Sequence, residues 1–175
     1  MKWKGKLINH IIEELKEDIK WGNTIEKILI DSSIGIHLAI FNEPFLSLVL
    51  NGEKKIESRF SINKISPYNK IKKGDVVIVK ESGGFVVAIF VAGNVYYFNH
   101  VDKNVLSKIE DDYGRLICTR YDHEFWANRA KANFITLIEI QKIKELTPYK
   151  TEKKDRLGWS LIREGLTDNL FNEIS

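Results

Sequence analysis

The densest chemistry in this chain lies in nine residues, Asn51-Gly52-Glu53-Lys54-Lys55-Ile56-Glu57-Ser58-Arg59. An ammonium, a carboxylate and a guanidinium so close together can hold an anion or the polar edge of a base, or the first two can exchange protons with a substrate. From Lys55 to Phe60 charged and mostly apolar residues alternate, the period of a strand, so Glu57 and Arg59 share a face. Two positions along a strand span about 6.6 Å, so the two heads can lean together or both reach one ligand between them. Lys55 falls in phase with them, and Lys54 joins their face only if it still belongs to the preceding turn. The same residues also have an architectural reading, in which Glu57 and Arg59 form an internal ion pair closing a barrel end and the lysines stay in solvent.

The elements around this stretch must position it. Gly35 to Phe41 reads as a buried strand, Asn42-Glu43-Pro44 as a helix entry, and Phe45 to Leu50 as one or two helical turns. Gly52 then offers the left-handed cap that only glycine adopts without penalty, so the chain turns there. Downstream, Ser61 to Lys73 is a polar loop, Asp75 to Lys80 an apolar strand, and Gly83-Gly84 a hairpin turn. Phe85 to Val91 is the next strand, and Gly93-Asn94 turns the chain again into Val95 to Phe98, making an antiparallel meander. Short helices over Val105–Glu110 and Asp122–Ala132 form an insertion before the strands Phe134–Ile140 and Trp159–Ile162. The tail from Gly165 reads as helical or frayed. At the start, Leu7 to Ile19 places apolar residues at helical spacing among acids, and Asn23 or Thr24 can cap a second helix through Ile30. These helices pack on the strands or present a partner surface. The expected organisation is a helical extension over 1–33, a barrel domain over 34–165 and a tail over 166–175.

Gly52, Lys54, Glu57 and Arg59 fit the spacing G-x-K-x-x-E-x-R, and in this the chain resembles the ASCH domain family of the PUA-like superfamily. His37-Leu38-Ala39-Ile40 with Pro44 is similar to that family's opening strand and helix, and Gly74 to Val79 to its next strand. Phe134 to Ile143 and Arg156-Leu157-Gly158-Trp159 are similar to its closing strands, so the resemblance runs from Ile36 to Arg163. It implies an α+β fold: a small PUA-like mixed or antiparallel β-barrel with flanking helices and the N-terminal helical extension. It also implies that the motif lines a cleft, giving Lys54 and Arg59 an anion or base-edge role and Glu57 an accepting or orienting role. Some small members resemble amidohydrolases that deacylate modified cytidines with a Lys, a Thr three residues later and a distant Glu. Here Glu57 stands where that Thr would be, which removes the nucleophile but leaves Lys54 and Glu57 as an acid-base pair.

Other positions extend the candidate binding set. Lys80, Ser82 and Gly83-Gly84 end a neighbouring strand where small residues let a nucleotide approach backbone amides, or they form an ordinary hairpin. Arg156 and Trp159 offer a cation and a stacking surface, although Trp159 serves equally as a core aromatic. Lys70 and Lys72 project from the Ser61–Lys73 loop toward phosphates. Arg129, Lys131 and Asn133 end the predicted helix, where its dipole accounts for cations. Gly83-Gly84 is not a phosphate loop, since no G-K-[ST] follows, and Cys118 with His123 makes no standard nucleophile constellation.

Composition bounds the rest. The 175 residues, 43% hydrophobic and 29% charged, suit one ordinary globular domain with an appendage. No apolar run approaches the ~20 residues of a membrane helix, and the start lacks a signal-like apolar stretch, so a cytoplasmic protein with no membrane partner is expected. The lone Cys118 cannot form an internal disulfide, and four scattered histidines show no ligand spacing, so no metal and no cofactor are expected. Eight bases against four acids fall between Glu53 and Glu81, and six against three between Lys142 and Arg156, whereas His100 to Glu124 has an acidic excess. A basic side suits a polyanion. The expected partner is therefore RNA or a nucleotide, bound through a basic cleft without catalysis. The alternatives are an amidohydrolase or nuclease-like hydrolase acting on a modified nucleoside or RNA through Lys54 and Glu57, and an adaptor binding proteins through the N-terminal helices.

Overall fold

A computed structural model describes residues 2–166. Its elements, in chain order, are α1 (Trp3–Leu15), α2 (Gly22–Ile30), β1 (Ile36–Phe41), α3 (Phe45–Leu50), β2 (Ile56–Ser61), β3 (Val76–Glu81), β4 (Val86–Phe98), α4 (Lys103–Ile117), β5 (Phe134–Tyr149) and β6 (Trp159–Arg163). The strands form one six-stranded sheet in the order β2-β5-β4-β3-β1-β6, curled into a half-barrel. Most pairings are antiparallel, but β1 lies parallel to β3, Ile36 opposite Val76, so the sheet is mixed rather than a plain meander.

β1 and β3 are buried on both faces, which is why each reads as a near-continuous apolar run. Ile36, Leu38, Val76 and Ile78 join Ile89 on the face that receives Leu7, Ile11 and Leu15 of α1 and Ile25 and Ile28 of α2. The apolar stripe of the N-terminal helices is thus spent on the sheet. On the other face, Ala39, Phe41, Val77 and Val79 pack with Val49, Phe90, Ile138 and Trp159. A third cluster joins α4, through Ile109 and Ile117, to Ile56, Phe125, Ile135 and Leu137. The first and last described elements are tied together: Arg163 donates to the carbonyls of Ile28 (2.7 Å) and Ile34 (3.0 Å), and Lys4 to that of Leu161 (2.7 Å).

Several element boundaries differ from the sequence reading. α1 stops at Leu15 and leaves Ile19 fully exposed, because the Asp18 carboxylate accepts from the backbone N–H of Lys20 and Trp21 and turns the chain. Trp21, buried rather than polar, precedes α2 in place of an Asn23 or Thr24 cap. α4 runs past Gly114 to Cys118, which takes the left-handed conformation at φ 67°. Asp122 to Ala132 holds only a 3-10 turn over Ala127–Arg129.

Gly93-Asn94 is no turn at all: β4 runs straight through it, with a register shift against β5 between Ala92 and Val95. A side chain on Gly93 would meet Glu139 Cβ at 2.8 Å and the Gln141 amide at 2.7 Å, so glycine here permits close strand approach. The predicted tail from Gly165 lies mostly outside the described residues. No helix is long and apolar enough to cross a membrane among them.

Candidate functional site

The turn after α3 sets the site. Gly52 holds φ at 76°, and the Lys54 N–H returns to the Leu48 carbonyl at 2.8 Å, so Lys54 leaves the turn pointing inward before β2 begins. It is 2% exposed, and its ammonium donates to the Ile117 carbonyl at 2.9 Å, lies 3.5 Å from Glu57 Oε2 and faces the Phe45 ring. Lys55, in phase along the strand, is the one left in solvent. Burial pulls the Lys54 pKa below the ordinary 10.5, against the attraction of Glu57.

Glu57, 5% exposed, lies between the two cations, with Oε1 2.7 Å from Arg59 Nε. That approach is off the N–H axis, so it is an ion pair without an aligned hydrogen bond. Arg59 reaches on across the open side of the half-barrel, donating to the Ile40 carbonyl of β1 at 2.9 Å and to the Gly158 carbonyl before β6 at 3.3 Å. Its guanidinium also lies over the rings of Phe41 and Trp159. One arginine thereby latches edge strand β2 to the opposite edge of the sheet.

Beside the trio opens a cleft of about 470 Å³. Lys54, Glu57 and Arg59 line it together with Phe45, Phe60 and Phe125, so the motif residues converge on a hollow. Arg129, read from sequence as a dipole partner, is a wall of this cleft, its guanidinium 3.6 Å from the Phe125 ring centre and donating to the Phe125 carbonyl at 2.8 Å. Burial lowers its pKa, opposed by Asp122, whose carboxylate is 3.8 Å away. Asp122, Asn128 and Arg129 complete the cleft from a segment far along the chain. The aromatic cluster from Phe125 is visible in the sequence, but not its placement opposite β2.

The remaining sequence candidates fall in three places. Lys80, Ser82 and Arg156 line a second concavity of about 610 Å³ with Lys150 and Lys153, and Arg59 forms part of its wall. Lys153 is committed there, bonded to Asp155 Oδ1 at 2.5 Å and to the Leu157 carbonyl at 3.1 Å. No carboxylate among the described residues pairs with Lys80, Lys150 or Arg156. Burial, then repulsion from Lys153, lowers the Lys80 pKa.

Trp159 is a core residue, 6% exposed, its indole N–H donating to His37 Nδ1 at 3.1 Å. Because indole nitrogen only donates, His37 carries its proton on Nε2, which faces Asp75 Oδ2 at 3.2 Å. The stacking surface expected of Trp159 is therefore covered, by the core and by Arg59.

Lys70 and Lys72 lie apart from the cleft, around a hollow with Tyr97 and Glu164, and Lys70 pairs with Glu164 at 3.0 Å. The Tyr97 hydroxyl there donates to the Ile71 carbonyl, and burial pushes its pKa up to about 12. Among the described residues no group of three or more His, Cys, Asp or Glu side chains is placed to hold a metal.

No protein-family model and no curated protein matches the sequence. Solved structures match the fold. The ASCH protein of Zymomonas mobilis superposes with a TM-score of 0.52 over 68% of this chain and 74% of its own, at 10% identity. The fold is that of an ASCH domain. A serine-to-alanine point mutant of the same Zymomonas protein gives a TM-score of 0.52 over 66% of this chain and 74% of that one, also at 10% identity. At such identity the likeness is one of architecture, and the ASCH fold here is filled by residues that must be judged on their own geometry.

Proposed function

We propose that this ASCH domain binds RNA, or a nucleotide, by admitting a base to the cleft beside Glu57. The observation that carries the reading is a buried carboxylate, held between two cations, in the floor of a hollow large enough for a small ligand. A carboxylate has about four lone-pair sites. With Lys54 and Arg59 beside it, Glu57 keeps acceptor capacity for the exocyclic amine of a base. Phe45, Phe60 and the Phe125–Arg129 stack supply flat surfaces of the kind unstacked bases prefer.

The test is titration of labelled single-stranded RNA and of mononucleotides at low salt, followed by anisotropy. Glu57→Gln, which replaces an acceptor by an amide, is expected to lower affinity and alter base preference. Asn128→Asp, at an exposed position of the cleft rim, is expected to weaken binding about tenfold by repulsion without touching the core. If no RNA or nucleotide binds the folded protein at low salt, the reading fails.

A second reading, hydrolysis of a modified nucleoside or RNA, rests on the lowered pKa of Lys54 beside Glu57, an acid-base pairing. It requires turnover of an acylated nucleoside or short RNA that Glu57→Gln abolishes while binding persists.

A further inference from the structure

Three hollows adjoin one another on this surface. The Glu57 cleft shares Ile40, Asn42 and Arg59 with the basic concavity on one side. It shares Phe60, Asn128 and Arg129 with a third hollow of about 660 Å³ on the other. That third hollow holds Ile62 and Ile65, which are 58% and 59% exposed, and Lys131. Single small-ligand sites run from roughly 300 to 1,000 Å³, so each hollow is by itself large enough for one unit of a ligand.

Their chemistry differs in sequence along the trench. The first end presents Lys80, Lys150 and Arg156 without carboxylate partners, with Lys150 and Arg156 exposed. The middle presents a buried acceptor between aromatic rings, and the far end presents exposed isoleucines beside Phe60. A ligand complementary to all three needs anionic groups, a hydrogen-bonding ring and further apolar ring faces, joined in a line.

We infer that the natural ligand is a single-stranded RNA segment several nucleotides long, lying across all three hollows with its backbone phosphates against Lys80, Lys150 and Arg156, one base in the Glu57 cleft and the next over Ile62 and Ile65. The inference rests on the RNA-or-nucleotide reading above and deepens it by choosing the polymer and laying it along all three hollows. Burial first, and repulsion from Lys153 second, disfavour the charge on Lys80, and a phosphate entering beside both lysines would offset that repulsion. Arg59 divides the cation end from the base cleft, so the phosphate and base of one nucleotide fall on its two sides.

The experiment measures affinities of uridine monophosphate, a uridine trinucleotide and a uridine hexanucleotide for the full chain across a salt series. Affinity is expected to rise at least tenfold from monomer to hexamer. Lys150→Ala with Arg156→Ala should flatten the salt slope of the hexamer by about 0.7 for each phosphate no longer neutralised and that of the monophosphate by no more than one such step. Ile62→Asp should weaken the hexamer and spare the monomer. Equal affinity for monomer and hexamer, with the double variant inert toward both, overturns the inference while the nucleotide reading stands. Failure of every probe to bind folded protein at low salt removes that reading and the inference together. Displacement of the hexamer by a heparin fragment of equal charge, with Ile62→Asp without effect, identifies a generic polyanion surface and also overturns the inference.

Discussion

The Glu57 cleft and the basic concavity beside it both carry cations and share Arg59, yet their charges are held in opposite ways. In the cleft, Lys54 and Arg59 are spent on carbonyls of Ile117, Ile40 and Gly158 and on Glu57, so these charges are parts of the fold that also line a site. In the concavity, Lys80, Lys150 and Arg156 lack carboxylate partners among the described residues, and removing the exposed pair disturbs little else. The contrast teaches that the conspicuous motif shapes and closes the half-barrel, while in the proposed reading the cations next to it would supply the attraction for an anion. Buried ion pairs are costly to break and weak as net stabilisers, whereas exposed cations act mainly through long-range fields.

The largest effect is expected from breaking the inner trio. Glu57→Leu leaves two cations without a counter-charge and should cost about 3–5 kcal/mol in urea unfolding. Adding Lys54→Met to it should recover part of that loss, since an apolar pair needs no desolvated charge; an additive double variant would contradict the coupling. The same site gives a pH signature. Because burial lowers the Lys54 pKa below 10.5, the unfolded chain binds this proton more tightly than the folded one, so the group's contribution improves as pH rises toward 10.5. The stability difference between the wild type and Lys54→Met should therefore move in favour of the wild type from pH 7 to pH 10.5.

A middle-sized effect is expected at Trp159. Trp159→Phe keeps an aromatic ring but leaves buried His37 Nδ1 without its donor, a loss of about 1–3 kcal/mol. Thermal unfolding reads this directly, and an unchanged midpoint would mean that the indole bond contributes nothing. The smallest effect belongs to the outer cations: Lys150→Ala and Arg156→Ala should each shift stability by no more than about 0.5 kcal/mol. A loss as large as that at Glu57 would erase the distinction between the two regions.

The local parts of this site are readable in the sequence. Gly52 marks the turn because a positive φ has a short-range cause, and β2 forms where the residue types alternate after it, although neighbouring Ile56 and Glu57 are both buried. An inward Lys54 is conditional on that turn, and the bond from its N–H to Leu48 supplies the condition. Features set by partners distant in sequence are harder to read. Gly93-Asn94 has the composition of a turn, but Gly93 is small because Glu139 and Gln141 crowd it from β5, and Asn94 is held by the Glu139 carboxylate. Arg129 has the position of a helix-end cation, but its surroundings come from folding Phe125 against Phe60. Lys70 and Lys72 share the charge of the motif region yet fold to another side of the chain.

The sheet order places β6, the last strand among the described residues, against β1, the first, with Arg163 gripping carbonyls that precede β1. A chain emerging from the ribosome must therefore hold Ile36 to Phe41 with one edge unpaired until residues 159–163 have been made. The domain is thus expected to close only after nearly all of it has been synthesised, as contacts so distant in sequence are the slowest to form.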